Sequence, residues 1–188
     1  MGMIQEWTME QTMLLIRAIN FAAEKHAGQT RSGSDTPYIN HPLRVMEIVS
    51  HSDSNESTLI AAVLHDVVED TETTYEELRE FLPEYIVSTI IELTDPPGLP
   101  KAERRGLQVK RLRNGSTTAK QIKIADKISN CEDLLYKESG WEGRKIWEYF
   151  KFSKELVDAV NLPTNGLTKQ FNILYGEAQT RYEEAYRA

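Results

Sequence analysis

Apolar residues in this chain recur at intervals of three and four between helix caps and Pro/Gly breaks, and they rarely alternate. Helices rather than strands must therefore build its core. Thr8 and Gln11 form a capping box ahead of Leu14, Leu15, Ala18, Ile19 and Ala22, which predicts a first helix ending near Gly28. Residues 29–40 (QTRSGSDTPYIN) read as loop, and Pro42 suits the first position of a second helix carrying Leu43, Val45, Met46 and Val49. After a polar break at 51–56, residues 57–68 read as a third helix, apolar on most sides and therefore central and buried. Thr74 and Glu77 cap a short fourth helix, and Pro83 starts a fifth that runs to about Thr94. The stretch 95–100 (DPPGLP) is a firm stop. A basic helix follows to about Arg113, closed by Asn114-Gly115. Ser116 or Thr117 then caps a longer helix with Ile122, Ala125, Ile128 and Leu135. Another helix opens at Gly140-Trp141 and reaches about Val160; residues 163–166 set off a last one with Leu167, Phe171, Leu174, Ala178 and Tyr182. The expectation is an all-α, single-domain bundle of about eight or nine helices over residues 1–188, with segment 164–187 packing on the rest.

Composition narrows the function. The net charge of −7 argues against a general nucleic-acid binder, although metal and clustered Lys/Arg can still reverse the sign inside a pocket. No apolar run is long enough for a membrane span, and the opening MGMIQEWTMEQ lacks the basic start and apolar stretch of a secretory signal. It begins Met-Gly, but Glu6 stands where a myristoylation motif needs Ser or Thr. The single cysteine, Cys131, excludes an internal disulfide and a cysteine-rich zinc site and fits a reducing, cytoplasmic setting.

The most informative segment is 64–70 (LHDVVED). A buried helix should not end in His, Asp, Glu and Asp unless they are paired, metal-bound or emerging into a cleft. On a continuous helix His65 and Asp66 diverge by roughly 100°, yet can still meet an ion lying beside the helix, with Glu69 and Asp70 one turn on beside a coordinated water. His41 stands where a loop becomes a helix, and Asp126 stands inside an amphipathic helix. His41, His65, Asp66 and Asp126 together would make a site of two imidazoles and two carboxylates, suited to Mn²⁺, Fe²⁺ or Zn²⁺. Each residue also has a plainer role: His41 as a cap, Asp126 as a partner of Lys123 or Lys127, Asp70-Thr71 as a helix-ending turn.

The order His41, then 64–70, then 123–130 (KIADKISN) resembles the HD-domain phosphohydrolases. Within them it is most similar to the RelA/SpoT-type hydrolase domain and to small single-domain alarmone hydrolases of the Mesh1 kind. Residues 22–26 (AAEKH), Arg31, 36–42 (TPYINHP), 61–71, 100–105 (PKAERR) and 147–150 (WEYF) carry the likeness, which spans roughly residues 10–160. The resemblance implies an HD-type helical bundle with His41, His65, Asp66 and Asp126 as metal ligands, usually for Mn²⁺, and Glu69 and Asp70 as the water-activating pair. It implies hydrolysis of the 3′-pyrophosphate of guanosine tetra- or pentaphosphate, with 2′-dephosphorylation of NADPH as the alternative and a non-catalytic nucleotide sensor ranked lower. Glu69 leads as general base, with Asp70 positioning the water or sharing that role.

Substrate contacts are expected from Lys25, His26 and Arg31, with Arg31 stacking on the purine. The basic run from Lys101 and Arg104 through Arg113 offers cations for distal phosphates. Asn130 lies four beyond Asp126 on one face, Tyr149 is placed for the ribose, and Tyr38 reads as a buttress of its loop.

Overall fold

The computed structural model describes residues 7–137, 139–160, 162 and 166–183. The expected features at Glu6, in 163–165 and in 184–187 lie outside these residues. The described chain forms α1 (Met9–Lys25), α2 (Asn40–Ser50), α3 (Glu56–Val63), α4 (Val67–Asp70), α5 (Tyr75–Arg79), α6 (Glu84–Leu93), α7 (Lys101–Asn114), α8 (Thr117–Tyr136), α9 (Gly143–Val160) and α10 (Gly166–Ala178). A short π-helical stretch, Gln179–Glu183, follows α10. Among the described residues there is no strand; the loop after α1 makes an isolated antiparallel bridge between Thr30 and Pro37.

Local chemistry explains most boundaries. Thr8 Oγ1 accepts from Gln11 N (3.2 Å) while Gln11 Oε1 accepts from Thr8 N (3.0 Å), closing the capping box that starts α1. Asn55, Thr74 and Ser116 cap α3, α5 and α8 through side-chain oxygens. Pro42 falls at the third residue of α2 rather than the first, still within the turn whose N–H groups lack helical partners. Pro83 and Pro100 stand just before α6 and α7.

Two helices make the centre. In α3 every residue but Ser57 is buried, as its apolar sequence predicts. In α8 the burial wraps past an ordinary stripe and takes in Lys123, Asp126, Lys127 and Ser129 with Ile122, Ile124, Ile128 and Leu135. The reason is its position, in contact with α2, α3, α6, α9 and α10. Phe150 and Leu156 of α9 and Phe171 of α10 complete the core, and Trp147 packs on Tyr175 with ring centroids 5.4 Å apart. The polar side chains buried on α8 therefore face a shared interior with the start of α2 and the end of α3.

Candidate metal centre and flanking clefts

The segment expected as one helix over 57–68 is broken. α3 stops at Val63, Leu64 (φ −104°, ψ 4°) and Asp66 (φ −105°, ψ −6°) form a turn, and α4 resumes at Val67. The Val67 N–H donates to Leu64 O (3.2 Å), a tighter closure than the α-helical one. This corrects the helical geometry assumed from sequence. Instead of diverging, the adjacent side chains converge, with His65 Nε2 3.1 Å from Asp66 Oδ2.

His41, from the first turn of α2, and Asp126, from the middle of α8, meet them. His41 Nε2 lies 3.2 Å from Asp126 Oδ1 and 3.6 Å from Asp66 Oδ2, and His65 Nε2 lies 4.0 Å from Asp126 Oδ1. Ligand atoms of His41, His65 and Asp126 all fall within 4.8 Å of one another. The far nitrogens are fixed: His65 Nδ1 donates to Ala62 O (2.8 Å) and His41 Nδ1 contacts Ser129 Oγ (3.0 Å). This is the arrangement that aims a metal-binding imidazole. His65 Nε2 is buried without a hydrogen-bond partner, although Asp66 Oδ2 lies 3.1 Å away. An orphaned nitrogen facing two carboxylates fits a cation between them.

The charge balance agrees. Burial pushes the Asp126 carboxyl up, but Lys127, His41 and Lys123 outweigh it and hold its pKa well below the usual range. Asp66 behaves alike, with His65 and His41 overcoming burial. Burial lowers His41, keeping it neutral and its lone pair free. For His65 burial also acts downward, but Asp66 and Asp126 reverse it and leave the pKa raised. Lys127 Nζ bonds Asp126 Oδ2 at 3.0 Å, and Asn130 Nδ2 donates to Asp126 Oδ1 at 2.5 Å.

Beside this cluster stand the two acidic residues of α4. Glu69 accepts from the Asp95 N–H (3.2 Å); burial raises its pKa, opposed by Lys123 and that hydrogen bond. Asp70 is bridged to Asp66 by one group: Tyr38 Oη lies 2.7 Å from both Asp66 Oδ2 and Asp70 Oδ2. Burial and the two carboxylates push the Tyr38 phenol far above its ordinary pKa, so it stays a donor. Tyr38 thus joins the cation cluster to the acidic pair, a role its loop position did not reveal.

Three comparisons agree with this arrangement. The HD domain family model matches residues 18–150. The chain belongs to the HD-domain family. A guanosine-3′,5′-bis(diphosphate) 3′-pyrophosphohydrolase MESH1 of Xenopus tropicalis is 43% identical over 148 residues, covering 77% of this chain and 83% of that one. The human protein of the same name is 40% identical over 147 residues, covering 76% and 82%. A solved structure of a metazoan orthologue of SpoT that hydrolyzes ppGpp has a TM-score of 0.83 at 31% identity, covering 93% of this chain and 98% of that one. An Aquifex aeolicus 3′-pyrophosphohydrolase is 32% identical over 146 residues, only 20% of its own length. This HD-domain chain is thus similar to small relatives along most of their length and to one part of larger ones.

Two clefts flank the cluster of this HD domain. The first has a volume of about 140 Å³ and is lined by Arg31, Ser34, Asn130, Asp133, Trp141 and Tyr149, among others. Arg31 is already engaged, donating to Asn130 Oδ1 (2.6 Å) and Asp133 Oδ2 (3.1 Å), with its guanidinium 5.5 Å from the Tyr38 ring centre. Tyr149 packs edge-on against Trp141, and burial, with Lys127 opposing, pushes its phenol up to about 12. The loop carrying Arg31 is held close to the rim: Gly33 has φ +78°, and a Cβ there would overlap the Ser139 carbonyl.

The second cleft joins Glu69 and Asp70 to Asp95, the 96–99 loop and Arg104. The rest of the basic run divides. Arg111 donates to Thr94 O and Ile91 O (both 2.8 Å), capping α6, and Arg105 lies over Phe152. Lys101 is exposed at the start of α7 and lines neither cleft. Lys25 pairs with Glu77 (2.6 Å), and His26 is buried, stacked on Tyr38 at 4.8 Å and bonded to Gln29.

Proposed function

We propose that this chain is a metal-dependent phosphohydrolase that removes the 3′-pyrophosphate of guanosine tetra- or pentaphosphate. The observation that carries the reading is the orphaned His65 Nε2, buried against Asp66 and Asp126 with His41 beside it and the Glu69–Asp70 pair one turn away. The names borne by relatives at 40–43% identity supply the substrate. His41, His65, Asp66 and Asp126 would hold one divalent cation. We take it as Mn²⁺, with Zn²⁺ or Fe²⁺ the alternatives, because the donor set is imidazole and carboxylate without thiolate. When bound, such an ion lowers the pKa of a coordinated water and polarises a phosphoryl oxygen.

The chain's own groups do the rest. Glu69, with its pKa raised by burial, accepts a proton from the attacking water. Asp70, held by the Tyr38 hydroxyl, orients that water. The water oxygen bonds to the phosphorus carried on ribose O3′, the P–O3′ bond breaks, pyrophosphate leaves with the new oxygen, and O3′ takes up a proton. The nucleoside occupies the first cleft, with Tyr149 near the ribose and Arg31 released from Asp133 to stack on the base. Arg104, from the second cleft, meets distal phosphate, with Lys101 behind it; Lys25 and His26 support the loop that carries Arg31. We read residues 1–188 as one unit acting on a small nucleotide in the cytoplasm, with no nucleic-acid partner.

The test is a parallel product assay on Mn²⁺-loaded protein. Pyrophosphate release from guanosine tetraphosphate should exceed orthophosphate release from NADPH at equal concentration. The reverse order would assign the site to the dinucleotide, and no release from either would leave a nucleotide sensor.

A further inference from the structure

Asp126 carries one negative charge and has two buried lysines around it. Lys127 Nζ bonds Asp126 Oδ2 at 3.0 Å and accounts for that oxygen. Lys123, one turn earlier on α8, has a side chain only 7% exposed, and its Nζ stands 3.8 Å from the same oxygen, beyond hydrogen-bond range. Among the described residues its Nζ makes no hydrogen bond. Its Nζ stands against the Asp126 carboxylate, on the flank of the cluster formed with His41, His65 and Asp66. An ammonium at the tip of so little exposed a side chain, with no hydrogen bond to the protein, is free to donate to an anion that enters the cluster. Lys127 holds the Asp126 Oδ2 hydrogen bond, which leaves the Lys123 donors unused by that carboxylate.

We propose that Lys123 is a catalytic residue that donates to a non-bridging oxygen of the phosphoryl group under attack and stays with the departing pyrophosphate. The inference rests on the phosphohydrolase reading above. As water adds at phosphorus and the P–O3′ bond breaks, negative charge collects on those oxygens; the ammonium keeps its proton throughout and supplies only charge and direction. No proton passes from Lys123, so the exchange of atoms is that of simple hydrolysis.

The experiment compares Lys123→Met and Lys123→Arg with the wild type on Mn²⁺-loaded protein. Lys123→Met should bind Mn²⁺ at least as tightly, since a competing cation is gone, and lose on the order of 100-fold in kcat with little change in KM. Inorganic pyrophosphate, titrated calorimetrically, should bind on the order of 10-fold more weakly to Lys123→Met. Unchanged pyrophosphate affinity together with unchanged kcat overturns the proposal. Should Lys123→Met not fold, Lys123→Arg decides: a residue that only balances Asp126 would retain full rate, whereas a placed donor loses about 10-fold or more on gaining a longer, planar head. A wild type inert toward both nucleotides would sink the functional reading, but the pyrophosphate titration would still judge Lys123.

Discussion

Replacing Tyr38 by Phe removes one oxygen and leaves the ring where His26 and His41 hold it, at centroid distances of 4.8 and 5.8 Å. The lost hydroxyl is 2.7 Å from a carboxylate oxygen of Asp66 and 2.7 Å from one of Asp70. It has a single proton, so at any instant one contact is a full hydrogen bond to a charged acceptor. Such a bond is worth roughly 1.5–3 kcal/mol. If Asp70 needs that bond to hold the attacking water, the whole amount appears in the barrier, a fall of about 10- to 150-fold in kcat. The base-facing part of the site keeps its ring, so KM should stay within about threefold of wild type, well under one such hydrogen bond. Because the phenol is pushed above its ordinary pKa, the deficit should be the same across neutral and mildly alkaline pH. The assay is steady-state hydrolysis at saturating Mn²⁺, with circular dichroism and melting to show that both proteins are folded. A Tyr38→Phe enzyme with kcat within twofold of wild type would refute the bridging role.

Other perturbations read other parts of the site. Glu69→Gln should keep the cation but lose about 10²–10⁴-fold in turnover. In the wild type kcat/KM should fall as pH drops through the Glu69 pKa, which burial raises, so activity is lost at a higher pH than an ordinary glutamate would give; a flat profile from pH 7 to 4 with native structure intact would exclude Glu69 as base. Arg31→Ala removes the donor held by Asn130 and Asp133 and should raise KM with little change in kcat; an unchanged KM counts against base stacking. Gly33→Ala places a methyl on the Ser139 carbonyl at a positive φ. It should cost about 1–3 kcal/mol of stability in a melting experiment and raise KM by displacing the Arg31 loop.

The sequence reading succeeded where local rules decide and missed where tertiary contacts do. The Thr8–Gln11 box, the Ser116 cap and the stop at 95–100 were legible because caps and prolines act within a few residues. The break at Leu64–Asp66 was not, since the apolar run into Val67 and Val68 continues a helical pattern without Gly or Pro. That break is what turns His65 and Asp66 onto a common point. The ligand set could be gathered only by resemblance, because His41 and Asp126 are 85 residues apart in sequence. Tyr38 looked like a loop aromatic because its acceptors, 28 and 32 residues away, are brought to it only by the fold. Arg31 was expected to stack on the purine, and its bonds to Asn130 and Asp133 were not legible because those partners lie 99 and 102 residues away. Lys123 and Lys127 were legible as partners of Asp126, but not their burial, which the helices packed around α8 impose.

The most direct measurement is anomalous diffraction from Mn²⁺-loaded crystals. One manganese peak should appear between His41 Nε2, His65 Nε2 and carboxylate oxygens of Asp66 and Asp126, and it should vanish in His65→Ala. A peak elsewhere, or none at these side chains in fully loaded protein, would mean that the four residues do not share an ion.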